Sequence, residues 1–68
     1  MISMRIEING EDLQLDEPAT VATLIRKRSP RPPFAVEVNK RLVRRPEYTT
    51  QKLNDGDRVE IVTLVGGG

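Results

Sequence analysis

Asp55-Gly56-Asp57-Arg58-Val59-Glu60-Ile61-Val62-Thr63-Leu64 reads as a tight turn followed by a strand that runs straight into Val65-Gly66-Gly67-Gly68. Gly56 suits the turn because it accepts a positive φ without steric cost. From Arg58 to Leu64 the period of two places Val59 and Ile61 on a core face and sends Val62 and Leu64 to the opposite face. Glycine loses more freedom on ordering than any other residue, so three in succession hold no packed conformation by themselves. The expected division is a folded domain over residues 1–64 and a flexible glycine tail over 65–68. The α-carboxylate of Gly68 is then the candidate working group, carried by Val65, Gly66 and Gly67.

Upstream, Met4, Ile6 and Ile8 alternate with Ser3, Arg5 and Glu7, extending a pattern that begins at Ile2. Asn9-Gly10 is a primed-turn signal, since both residues tolerate positive φ, and Leu13 and Leu15 give the return strand. After Pro18, Thr20 is a candidate N-cap for a helix of about nine residues whose Val21, Leu24 and Ile25 face the sheet. Arg26, Lys27 and Arg28 complement its C-terminal dipole, and Pro30, Pro32 and Pro33 stop it in a stiff connector. Phe34, Val36 and Val38 alternate as a third strand. Asn39-Lys40-Arg41 turns the chain into a short partner strand at Leu42-Val43. Pro46 suits the first position of a brief helical turn carrying Glu47 and Tyr48, and Leu53 pins the crossing segment to the core. The order is β-β-α-β-β-β. A hairpin, a crossover helix and a last strand lying between earlier ones describe an α+β, β-grasp (ubiquitin-like) fold, with one main helix on a mixed sheet of four to five strands.

The chain's 68 residues allow one domain with a small core, in which a deep enclosed catalytic pocket is not expected. There is no cysteine and no histidine. A disulfide framework, a thiolate metal site and the usual proton shuttle are therefore not available, and Ser3 and Ser29 lack a histidine to activate them. The carboxylates are scattered, so no metal site is expected. No apolar run is long enough to span a bilayer, and the N-terminus does not read as a signal peptide, which places the expectation in the cytoplasm. The net charge of +1 hides an asymmetry: eight of the eleven basic residues lie between Arg26 and Arg45, where Glu37 is the one acid. Such a stripe serves as a solvated face or steers an acidic partner. With Phe34 and Tyr48 as the two aromatic residues there is no stacking platform for nucleic acid, and neither nucleic acid nor membrane is an expected partner.

Val36-Glu37-Val38-Asn39, Leu42-Val43, Arg45, Glu47-Tyr48, Leu53, Asp55-Gly56-Asp57 and the run from Val59 to Gly68 resemble the ThiS family, the ubiquitin-like sulfur carriers of thiamine biosynthesis. Arg44 departs from the pattern, standing where members often have proline. The Gly-Gly end is shared with the small subunit of molybdopterin synthase and with ubiquitin-like modifiers, while Glu60-Ile61-Val62-Thr63 favours the thiamine branch.

The resemblance implies a protein co-substrate rather than an enzyme. A ThiF-like activating enzyme, with its own ATP and Mg²⁺ and no cofactor on this chain, would adenylate Gly68. A sulfur donor such as a cysteine desulfurase relay would convert the adenylate to a thiocarboxylate. Thiazole synthase (ThiG-like) would receive the sulfur. Val65 to Gly68 extend at most about 13–14 Å, enough to enter a partner's site. Val62 and Leu64, apolar on the outer face, are candidates for the docking surface, unless the crossing segment around Tyr48 covers that face. Two other readings stand beside this one. The same chemistry could feed molybdopterin synthesis or tRNA thiolation (MoaD-like or Urm-like), or the chain could be a non-covalent β-grasp binding module.

Overall fold

A computed structural model of the chain describes residues 2–64. Strands β1 (Ser3–Ile8) and β2 (Glu11–Asp16) form an antiparallel hairpin in register from Ser3 opposite Asp16 to Ile8 opposite Glu11. Its turn is Asn9-Gly10, with φ of 50° and 84°, the left-handed values that a two-residue connection of twisted strands demands. Helix α1 (Val21–Arg28) follows. The Thr20 N–H is held by Thr23 Oγ1 at 3.1 Å at the start of α1. Ser29, at φ 44°, closes its end by donating its N–H to the Ile25 carbonyl at 2.8 Å. The helix is one residue shorter than expected because this left-handed residue stops it before the prolines are reached.

Strands β3 (Phe34–Val38) and β4 (Arg41–Val43) form a second antiparallel hairpin around Asn39 and Lys40, both at positive φ. A short 3₁₀ turn, Arg45–Glu47, leads into the crossing segment, with Pro46 second in the turn rather than first. Strand β5 (Arg58–Thr63) ends the sheet, whose order is β2-β1-β5-β3-β4. β5 runs parallel to β1 and antiparallel to β3, so the last strand in sequence is the middle strand in space. This is the α+β β-grasp arrangement that the element order predicts, with five strands and one main helix.

One face of the sheet carries the core. Met4, Ile6, Ile8 and Leu15 meet Val36, Val38, Val43, Val59 and Ile61 under Val21 and Leu24 of α1, with Ala19 and Leu53 closing the side. The crossing segment covers the same face. The Val21 and Ala22 N–H groups donate to the Gln51 and Tyr48 carbonyls at 3.0 and 2.9 Å, and the Leu53 N–H reaches the Ala19 carbonyl at 2.9 Å. Ile2 continues the alternation of β1 but is exposed, since it lies beyond the end of the strand. Buried Asp57 is fully used: its carboxylate accepts from the Asn54 N–H at 2.8 Å and from Asn39 Nδ2 at 3.0 Å.

Leu24 is fully buried where α1 meets the sheet. Leu24→Ala is expected to lower stability by about 2–5 kcal/mol, comparable with the whole stability of a domain this small, roughly 3–10 kcal/mol. Urea unfolding followed by circular dichroism measures it, and an unchanged midpoint would show that α1 does not close the core.

Candidate functional site: the last strand and its outer face

β5 is the element that leads to the glycines, and the fold grips it from both sides. On the β1 side the direct pairing covers Glu7 with Arg58 and Ile8 with Val59. There β1 turns away, and the Asn9 side chain continues the ladder. Its Oδ1 accepts from the Ile61 N–H at 2.8 Å and its Nδ2 donates to the Ile61 carbonyl at 3.1 Å. On the β3 side pairing runs from Val38 opposite Val59 to Phe34 opposite Thr63, and the Leu64 N–H donates to the Pro33 carbonyl at 2.8 Å. At the other end of β5, Asn39 Oδ1 accepts from the Arg58 N–H at 3.0 Å, and the Asn39 N–H donates to the Arg58 carbonyl at 2.7 Å. Both hairpin turns thus supply an asparagine whose amide holds the last strand. The sequence signalled these residues as turn formers. It carried no signal for the second role, because the partner lies about fifty residues away for Asn9 and only the fold brings it close.

The expected alternation holds along β5. Val59 and Ile61 are buried, whereas Val62 and Leu64 are 45 % and 51 % exposed. Ala35 stands directly opposite Val62, and Leu42, 53 % exposed, lies on the same outer face one strand further on. Because the crossing segment packs on the helix side, with Tyr48 stacked on Phe34 at 6.3 Å, it does not cover Val62. Next to this apolar band Glu37 and Glu60 face each other across β3 and β5, while Arg58 pairs with Glu7 at 3.4 Å. The candidate tail positions Val65, Gly66, Gly67 and Gly68 lie outside the described residues. Among the described residues no group of three metal-ligating side chains is assembled, and no helix is long and apolar enough to cross a membrane.

A sequence profile of the ThiS family matches residues 4–68. The chain belongs to the ThiS family. The crystal structure of the thiamine biosynthesis protein ThiS from Geobacter metallireducens superimposes with a TM-score of 0.80 at 28 % identity, covering 96 % of this chain and all of that one. Among curated proteins, the uncharacterized protein ycf40 of Porphyra purpurea is 36 % identical over 97 % of this chain and 94 % of its own length. A thiazole synthase of Paramagnetospirillum magneticum is also 36 % identical over 96 % of this chain, which spans 20 % of that protein's length. Family and fold together make this ThiS-family chain a small ubiquitin-like sulfur carrier of thiamine biosynthesis.

Asn9→Gly tolerates the left-handed φ and removes the side-chain clamp on Ile61, with a small added cost in chain entropy. It is expected to cost about 1–3 kcal/mol, because it strips a buried strand of two hydrogen bonds. Amide exchange at Ile61 should quicken more than at Val36. Equal protection in both proteins would mean the clamp does not hold β5.

Proposed function

We propose that the α-carboxylate of Gly68 is the sulfur-carrying group. The observation that carries this reading is the family match extending to residue 68, so that it takes in Gly66, Gly67 and Gly68 at the end of a strand held in the centre of the sheet. An α-carboxyl is ionised at neutral pH and is a poor electrophile. Attack of its oxygen on the α-phosphorus of ATP, with loss of pyrophosphate, gives an acyl-adenylate. The outer sulfur of a donor persulfide then attacks the carbonyl carbon and AMP leaves. A second donor thiol cleaves the resulting acyl disulfide, so that a thiocarboxylate remains on Gly68 and a disulfide on the donor. A ThiF-like enzyme supplies the ATP and Mg²⁺ site. A cysteine desulfurase relay fits the donor role.

The acceptor on this reading is a ThiG-like thiazole synthase. The 36 % identity to part of a thiazole synthase supports that choice, since in that relative a carrier-like segment belongs to the same protein. Glycine at the reacting position leaves the carbonyl open from both sides and lets the chain pass where a Cβ would clash. Exposed Val62 and Leu64 give these partners an apolar docking surface beside the tail.

Intact mass spectrometry after incubation with the activating enzyme, ATP and a sulfur donor is expected to show the gain of one sulfur for one oxygen, located on Gly68. Removal of Gly67 and Gly68 should abolish it. A truncated protein that still supports thiazole formation would overturn the reading in favour of non-covalent binding. Leu64→Asp is expected to weaken binding to the activating enzyme by about tenfold or more with the fold intact. An unchanged affinity would remove the outer face from the docking surface.

A further inference from the structure

A groove lies at the other edge of β3, away from β5. The hydrogen bonds Leu64 N–H to Pro33 carbonyl and Asn39 N–H to Arg58 carbonyl fix the parity of β3. Pro33, Ala35, Glu37 and Asn39 turn their backbone groups toward β5, so Phe34, Val36 and Val38 turn theirs toward β4. β4 pairs with Val36 and Val38 through Val43 and Arg41, and the position opposite Phe34 would be Arg45. Arg45 has already entered the 3₁₀ turn. Among the described residues the N–H and C=O of Phe34 therefore have no partner, and they face a cleft of about 360 Å³. Its apolar lining includes Pro33, the stacked Phe34 and Tyr48, and Leu42, and its rim carries Arg44 and Arg45. Among the described residues no carboxylate lines it. Glu47, in the adjacent turn, points back to accept the Arg44 N–H at 2.8 Å.

We propose that this cleft binds a short extended segment of a partner protein in which an apolar residue is flanked by acidic ones, pairing with the free backbone of Phe34 in the lane that β4 vacates. An open strand edge is a template for an added strand, with main-chain bonds for affinity and side-chain pockets for choice. The apolar residue covers Phe34 and Tyr48, and the acids meet Arg44 and Arg45 in charge-assisted bonds. Charge complementarity selects this occupant. The chain's own last four residues fit poorly. They follow a strand on the far edge of β3, and crossing two strand spacings, about 10 Å, consumes about three residues before any could lie along Phe34. The proposal is independent of the chemistry at Gly68.

The test uses the full chain, labelled with ¹⁵N, titrated with a capped peptide of alternating valine and glutamate and with its valine–lysine counterpart. The acidic peptide is expected to shift the Phe34 amide and slow its exchange, together with the amides of Leu42 and Arg44. Affinity should fall as salt is raised, and Arg44→Glu with Arg45→Glu should weaken it by about tenfold or more while the far-ultraviolet spectrum stays unchanged. Absence of shifts at Phe34, equal binding of the lysine peptide, or shifts centred on Val62 instead would overturn the proposal. So would a change in the Phe34 amide on deleting residues 65–68 or on raising protein concentration, which would name the chain's own end or a second copy as the occupant.

Discussion

A strand inserted between two others has both rows of backbone groups to satisfy, and in this protein that demand falls on β5. β1 supplies a partner for only its first part, because the hairpin at Asn9-Gly10 carries β1 away. The two amide bonds from Asn9 to Ile61 take over where the backbone ladder stops. Asn39 does the corresponding work at the start of the strand, holding Arg58 while it also donates to buried Asp57. Unpaired buried backbone groups are costly, on the order of 1–3 kcal/mol each, so these two side chains are what allows the last strand to sit in the middle. A single residue type meets two requirements at once, the left-handed turn conformation and a bidentate amide.

Central placement also gives the strand a use. Its core face, Val59 and Ile61, anchors it under α1, and its outer face presents Val62 and Leu64 near the point where the chain runs on toward Gly68. The covering helix and the crossing segment both lie on the core side, which leaves the opposite face open to a partner. For a ThiS-family carrier this separates two tasks along one strand. The buried side fixes position, and the exposed side is the one we propose for docking other proteins.

The two sheet edges are not alike. β4 is three residues long and gives way to a 3₁₀ turn, so one residue of β3, beside an apolar, basic cleft, has no backbone partner among the described residues. Short edge strands guard against uncontrolled strand pairing. Here the guard is shortened by one hydrogen-bonded pair, and the charged residues described in the lining of the gap are two arginines, Arg44 and Arg45.

Most of the fold was legible in the sequence because its signals are local. Asn9-Gly10 fixed the first hairpin, the spacing of Val21, Leu24 and Ile25 gave the helix, and alternation from Val59 to Leu64 separated the buried from the exposed positions. The terminal glycines and the surrounding residues were enough for the family resemblance. What depended on residues far apart in the chain was not legible. The amide clamps join Asn9 to Ile61 and Asn39 to Arg58, the crossing segment chose the helix side of the sheet, and the lack of a backbone partner for Phe34 among the described residues follows from where β4 ends. Sequence periodicity says which face a residue takes. It cannot say which distant backbone groups meet there, because that is settled by the register between strands, which exists only once the chain has folded.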